Sequence, residues 1–175
     1  MRKFLRKVFV ILDNIVRKLG KWELIPNTRL EYFYLSKHRY KGKDKILEDG
    51  SIIKKGDEVI EMHVNNSKME ELGSRLKEIF KALDEELRLL AIALEENEKY
   101  KNVKGLWART VLYPITEKRG FETQEIKGTY MFGFLKIWDN LIKYAFEQKE
   151  GKIKLRDPKE IWISKTGLIK INLKN

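Results

Sequence analysis

Apolar residues recur at helical spacing in three segments of the chain. Residues 1–21 carry an apolar arc between basic residues, which predicts an amphipathic helix. Residues 67–101 carry a leucine-rich stripe at three- and four-residue intervals, which predicts the longest helix. The segment after Gly128 places the apolar residues of 131–145 on one face and predicts a shorter amphipathic helix.

Short segments rich in β-branched and aromatic residues lie between and after these helices. Residues 58–64 alternate, which places Glu61 and His63 on one face of a strand and apolar side chains on the other. Asp49-Gly50 predicts a tight turn between two strands, and Thr166-Gly167 predicts another between the last two. The predicted strands are 30–35, 46–47, 52–53, 58–64, a short run after Phe121, 152–155, 160–164 and 168–173. Residues 106–113 are predicted as a buried strand, but the loop lengths on either side fit a helix equally well.

This alternation of hairpins and helices predicts an α+β fold. We expect a mostly antiparallel sheet with one long and one shorter amphipathic helix packed on one of its faces, plus the N-terminal amphipathic helix. Pro114 adds a short helix that ends at Lys118. The chain divides into a basic helix and linker at 1–27 and a single α+β domain at 28–175.

Composition narrows the classes of function. The 175 residues include 37 Lys and Arg against 26 Asp and Glu, two His and no Cys. The absence of Cys excludes disulfides, thiolate zinc sites and cysteine nucleophiles. The net charge of +11 favours an anionic partner such as lipid head groups, nucleic acid or an acidic envelope polymer. The longest uncharged apolar run of the first helix, Val8 to Leu12, is too short to span a bilayer.

Familiar catalytic motifs are absent from the sequence. It contains no glycine-rich phosphate loop, no dinucleotide-binding fingerprint and no nucleophile elbow. We therefore expect no cofactor and, with two His and no Cys, no metal site. Acidic runs such as Asp84-Glu85-Glu86 lie off the leucine stripe, which predicts a solvated helix face rather than an acid–base pair.

Two groups of residues are candidates for binding a ligand. Glu61 beside His63 on one strand face is either an ordinary exposed ion pair or a carboxylate that orients an imidazole. The basic stretch 37–45 is either a solubilising hairpin loop or a cradle for phosphates and carboxylates. We expect His63, Arg39 and Asn66 to line a shallow polar site for an anionic or sugar-like ligand. The full set of ligand-binding candidates is Asp57, Glu61, His63, Asn66, Arg39, Tyr40 and Lys41, with no catalytic residue assigned.

The N-terminal helix is a candidate membrane anchor. Seven basic residues and one acid surround its apolar arc, which is the physical requirement for lying in the interface of an anionic bilayer. The alternative is a helix that docks on its own domain or on a partner protein. The membrane-contact candidates are Arg2, Lys3, Phe4, Arg6, Lys7 and Phe9.

A turn and strand join Gly56-Asp57 to Glu61-Met62-His63 and Asn66, and several shorter motifs occur with them in a fixed order. Together these motifs resemble the bacterial YkoP-like family. The resemblance marks Asp57, His63 and Asn66 as motif positions without assigning them chemistry. Similar domains are attached in some chains to polysaccharide deacetylases, which implies a cell-envelope context. The other matching pieces are 39–43, 47–51, 104–105, 119–121 and 160–164.

The sequence therefore supports three alternative functions. The first is a non-enzymatic accessory or binding module in the cytoplasm, peripheral at the inner face of the membrane and linked to envelope polysaccharide or lipid metabolism. Its partner is an anionic membrane surface or an envelope-synthesis protein. The second is an enzyme that acts on an anionic or sugar substrate through a site centred on His63. The third is a nucleic-acid-binding protein, which only the basic charge and the basic stretch interleaved with tyrosine support.

Overall fold

The computed structural model describes residues 2–66, 68, 76–126, 132–146 and 156–173. Helices and strands alternate along these ranges as the hydrophobic pattern predicts. The helices are α1 (Arg2–Gly20), α2 (Leu76–Glu96), α3 (Tyr113–Glu117), α4 (Phe132–Phe146) and α5 (Lys165–Leu173), with a 3-10 turn at Glu98–Tyr100. The strands are β1 (Glu23–Leu24), β2 (Phe33–Arg39), β3 (Lys45–Ile46), β4 (Ile52–Ile53), β5 (Glu58–Val64), β6 (Val103–Thr110), β7 (Glu122–Glu125) and β8 (Lys159–Ser164).

The main sheet has six strands in the order β1-β2-β5-β6-β8-β7. All of its pairings are antiparallel except β5 with β6, which are joined by the crossover that contains α2. The predicted α+β class and mostly antiparallel sheet are confirmed. Strands β3 and β4 form a separate two-stranded hairpin, whose Asp49-Gly50 turn is also confirmed, with Gly50 at a φ of 82° that favours glycine.

The first face of the sheet carries the hydrophobic core. Residues at even positions of β5, β6 and odd positions of β8 point to this face, where the leucine stripe of α2 covers them. Leu87, Leu90 and Leu94 are fully buried there, together with Leu106 of β6. Helix α5 packs beside α2 and contributes Leu168 to the same core.

The second face is covered differently, by three separate elements. The β3–β4 hairpin packs Leu47 and Ile53 against Trp162 at one end of this face. Helix α1 reaches the other end, where Arg17 lies over the ring of Tyr34 at 5.2 Å. Helix α4 contacts α1 and places Asp139 3.3 Å from Arg109 of β6. The helices therefore cover both faces of the sheet, whereas the sequence predicts them on one face. Amphipathic periodicity shows that a helix has a buried side, but it does not show which surface covers that side.

The C-terminal segment departs from the prediction. Residues 168–173 form part of helix α5 rather than a strand, and Thr166-Gly167 lies inside that helix rather than in a turn. Ser164 begins the helix by accepting a hydrogen bond from the backbone N–H of Gly167 at 2.8 Å, as an N-cap residue does. Burial of Leu168 against α2 outweighs the β propensity of this apolar segment.

Two further expectations are corrected on the described residues. The basic stretch is not simply a loop, because strand β2 continues through Lys37 and Arg39. Glu86 does not lie on a solvated helix face; it is fully buried, and its carboxylate accepts a hydrogen bond from the hydroxyl of Thr28. The predicted strand at 152–155 and the first turns of the predicted 67–101 helix lie outside the described residues, apart from Lys68.

None of the helices within the described ranges combines the length and apolar character that a membrane span requires.

Candidate functional site

Polar and aromatic side chains share the second face of the sheet between the hairpin and α1. Glu61 pairs in register with Ser36 of β2 on one side and with Trp107 of β6 on the other. His63 lies two residues further along β5, opposite Tyr34. The strand alternation predicted from the sequence thus places Glu61 and His63 on one face, as expected.

The side chains of Glu61 and His63 are close but not hydrogen-bonded. His63 Nε2 lies 3.7 Å from Glu61 Oε2, and no hydrogen-bond partner of this buried nitrogen is found among the described residues. Burial raises the pKa of Glu61 to about 7, although the positive charge of Arg109 opposes the rise. Burial lowers the pKa of His63 to about 4, with smaller contributions in the same direction from the charges of Arg109 and His38. Glu61 does not hold His63 protonated, because below neutral pH the carboxyl is itself uncharged.

This arrangement gives Glu61 a chemical capacity that an exposed glutamate lacks. A carboxyl group with a pKa near 7 can donate or accept a proton at neutral pH. Beside it, the indole N–H of Trp107 is buried without a hydrogen-bond partner among the described residues. Within the same ranges, no group of three side chains converges that could hold a metal ion.

The segment after α1 closes over His63. The indole of Trp22 stacks on the imidazole with ring centroids 3.5 Å apart and planes 8° from parallel. Asn66, just beyond β5, donates a hydrogen bond of 2.8 Å to Asp13 of α1. Two of the three motif positions marked by the family resemblance, His63 and Asn66, therefore hold the N-terminal segment against the sheet.

The expected grouping of His63 with Arg39 is wrong. Arg39 lies opposite Glu58 at the far end of the β2–β5 pairing, and its odd position puts it on the other face from Tyr34. Its guanidinium donates to the backbone carbonyl of Gly56 at 2.9 Å. Sequence spacing does not show this separation. Arg39 lies at the end of β2 next to the β3–β4 hairpin, whereas His63 lies near the opposite end of the β2–β5 pairing.

The other candidates of the basic stretch and turn also lie away from His63. Asp57 closes a turn by accepting from the backbone N–H of Lys54 at 2.8 Å. Tyr40 packs edge-on against Trp162, with its hydroxyl donating to the carbonyl of Lys43. Lys41 is exposed.

Helix α1 buries one of its expected membrane-contact residues and exposes another. Phe9, expected on the membrane-contact side, is buried in the protein with only 4% of its surface exposed. Phe4 and Leu19, by contrast, are 69% and 80% exposed. Lys7 is exposed and Arg6 is half-buried, while Arg2 and Lys3 begin the helix. Because Asp13 and Arg17 contact the sheet end, the apolar stripe faces away from it.

Trp22, Trp107, Arg109 and Asp139 lie around Glu61 and His63 without a sequence motif that links them to this pair. The alternation of Trp107 and Arg109 with apolar Leu106 and Ala108 in β6 was the available signal, since it places both on the face opposite the core. The pairing of β6 beside β5 is set by the crossover, which periodicity alone does not specify.

The opposite pKa shifts predict opposite pH dependences for two variants. Because the pKa of Glu61 is raised, the folded state binds more protons than the unfolded state between about pH 4.5 and 7. The contribution of Glu61 to the free energy of unfolding therefore decreases as pH rises through this range. A base with a lowered pKa does the reverse, so His63 reduces stability as pH falls from about 6.5 to 4. Between about pH 4.5 and 7, the free energy of unfolding of Glu61→Gln should rise by about 1–2 kcal/mol relative to that of the parent protein. This value allows for the partial exposure of the carboxyl group.

His63→Gln should instead gain relative stability as pH falls. Urea unfolding of the parent and both variants between pH 4 and 7.5 measures the two trends. Parallel stability curves for all three proteins would contradict the burial of these groups.

Comparison with known proteins assigns the chain to a family. The family model described as YkoP domain matches residues 2–172. A relative in Bacillus subtilis (strain 168), named "Uncharacterized protein YkoP", is 23% identical over 177 residues, which cover 97% of each chain. No solved structure matches significantly. Since the family model spans nearly the whole sequence, including α1 and the second sheet face, this chain belongs to the YkoP family.

Proposed function

We propose that the protein is a non-enzymatic accessory module that attaches peripherally to the anionic inner face of a bacterial membrane. One observation carries the proposal: α1 packs on its own domain through a side that includes polar residues and leaves its apolar stripe exposed. A link to envelope polysaccharide or lipid metabolism is part of the proposal and rests on the family context alone.

The geometry of α1 supports an interfacial position. Phe9, Asp13 and Arg17 follow one another at four-residue spacing and form the side that contacts the protein. Ile11 and Ile15 also share a side, and about 100° per residue places it nearly opposite the first. Both isoleucines are about half exposed. An apolar stripe directed outward in this way is the feature by which helices bind in a bilayer interface.

Charge favours lipid as the occupant of this stripe. Lys7 and Lys18 are exposed and lie along one edge of it, and Lys21 follows the helix. Each basic residue close to an anionic membrane contributes about 1 kcal/mol before screening by salt. An apolar strip bordered by lysines therefore matches an anionic bilayer better than a neutral apolar groove.

The enzymatic alternative has less support. Glu61 has a pKa suited to proton transfer, but Trp22 covers one face of the neighbouring imidazole. A shallow cleft lies elsewhere, between the linker after β1 and helix α2, where Asn27 and Ile92 line it. The nucleic-acid alternative explains the basic charge but not the exposed apolar stripe.

The test replaces the centre of the stripe in the full chain. Ile11→Gln/Ile15→Gln should keep the helix, because glutamine has a helix propensity at least equal to that of isoleucine. We expect its binding to vesicles of phosphatidylcholine and phosphatidylglycerol to fall at least tenfold, since two apolar side chains no longer enter the interface. Vesicle sedimentation at low and high salt measures the loss, and binding of the parent protein should weaken as salt rises.

The matched control is Ile171→Gln, which removes an exposed isoleucine from α5 on the other layer. Its vesicle binding should equal that of the parent. Equal binding of the α1 variant and the parent would overturn the proposal. Tight, salt-dependent binding of an oligonucleotide that exceeds binding to vesicles would favour the nucleic-acid alternative instead.

A further inference from the structure

We propose that the β3–β4 hairpin is a second membrane contact, which inserts Ile46 and Ile52 into the same anionic surface that α1 binds. The protein would then lie with the second face of its sheet toward the lipid. This inference rests on the proposed function of α1, and it adds a second membrane-contact element to the protein.

The hairpin has two distinct sides. Lys45 pairs with Ile53, and Ile46 pairs with Ile52. Because side chains alternate along a strand, the two pairs point in opposite directions. Ile53 is fully buried and the ammonium group of Lys45 reaches Glu160 at 3.3 Å, so this pair faces the sheet.

The second pair faces away from the sheet. Ile46 is 72% exposed and Ile52 is 49% exposed. Leu47 anchors the hairpin from beneath, in a buried cluster with Ile53 and Trp162. The outward isoleucines are therefore presented on a fixed support, and they make no contribution to the described core clusters.

The surroundings of the hairpin are basic. Residues 37–55 contain seven Lys or Arg and three acids. Lys41, Lys43, Lys54 and Lys55 are all exposed. Among the acids, Asp44 accepts from the backbone N–H of Lys55 at 3.1 Å and so sits within the hairpin base. An outward apolar pair with lysines around it complements an anionic lipid surface, as does the stripe of α1.

The exposed apolar residues of the described chain concentrate on the layer that covers the second sheet face. In α4, Asp139 contacts the sheet while Ile137 and Leu141 are exposed, so this helix also turns apolar side chains away from the sheet. Of the ten large exposed hydrophobic side chains among the described residues, Ile171 alone belongs to the opposite layer. The other nine are Phe4, Ile11, Ile15, Val16 and Leu19 of α1, Ile46 and Ile52 of the hairpin, and Ile137 and Leu141 of α4. One membrane surface can contact all three elements.

The absence of native cysteine allows a direct test with single labels. Ile52→Cys and Ile46→Cys each carry nitrobenzoxadiazole, a fluorophore that brightens and shifts to the blue when it leaves water. Arg88→Cys provides the control, because Arg88 is exposed on α2 in the opposite layer. On vesicles containing phosphatidylglycerol, we expect at least a twofold rise in emission for a label at 46 or 52 and none at 88.

The outcomes separate this inference from the proposed function. Sedimentation of the labelled proteins with vesicles, without a change in emission at 46 and 52, would overturn the hairpin contact and leave attachment through α1 intact. An equal change at position 88 would also overturn the hairpin contact, because the protein would then have no preferred orientation on the vesicle surface. No sedimentation of the unlabelled parent would overturn both. Two hairpin labels protect the test against a variant that does not fold.

Discussion

Replacing Leu87 with alanine is expected to lower the free energy of unfolding by about 2–5 kcal/mol. Leu87 lies at the middle of the α2 stripe and is 1% exposed, within the cluster that joins α2 to the sheet and α5. The substitution removes buried methyl groups and leaves a cavity that the close-packed surroundings fill only partly. Urea denaturation monitored by circular dichroism measures the change.

Glu95→Ala is the matched control on the same helix. Glu95 is exposed, so its replacement should change the free energy of unfolding by no more than about 0.5 kcal/mol. A loss for Glu95→Ala as large as that for Leu87→Ala would contradict the assignment of the buried side of α2.

Glu86→Ala is expected to destabilise the protein by about 3 kcal/mol, although the residue is acidic. Its buried carboxylate accepts from the hydroxyl of Thr28, and hydrogen bonds from Thr28 and the backbone of Tyr32 lower a pKa that burial raises. Alanine would leave these donors buried without an acceptor, which costs about 1–3 kcal/mol for each group. The loop from Thr28 to Tyr32 would lose its side-chain hydrogen bond to α2.

The neighbouring Glu85 provides the control, because it has the same side chain in an exposed position. Glu85→Ala should change stability by no more than about 0.5 kcal/mol. Glu86→Gln should cost less than Glu86→Ala, since its amide oxygen still accepts from Thr28. Thermal melts of the three variants that coincide with the parent would show that the carboxylate is not a structural acceptor.

Leu87 and Glu86 are adjacent on α2 and both buried, but the sequence pattern predicts burial only for Leu87. The leucine stripe predicts Leu87 as buried, and the structure confirms it. The same periodicity places Glu86 outside the stripe, beside Asp84 and Glu85. Only the loop after β1 explains its burial, because that loop brings Thr28 to α2 from 58 residues away. Periodicity reports the direction of a side chain, not what covers it.

The candidate site shows the same division. The alternation in β5 predicts the shared face of Glu61 and His63, and the positions of the two side chains confirm it. Their pKa values depend on burial and on charged neighbours from three other strands: Arg109, His38 and Glu160. Arg39, by contrast, is nearer to His63 in sequence than Arg109 is, but it lies at the other end of its strand. Proximity along the chain was therefore a poor guide to proximity on the sheet.

The sequence by itself determined the local features of this protein: the helices α1, α2 and α4, the turn at Asp49-Gly50 and the alternation of β5. These follow from interactions between residues a few positions apart, which leave a period or a turn signal in the sequence. The tertiary structure decided which surface each element covers. It buries Phe9, exposes the stripe of α1, and converts the apolar C-terminal segment into helix α5 through packing on α2. The physical reason is that burial of apolar surface is non-directional, so an amphipathic segment specifies that a partner exists and the whole fold selects which one.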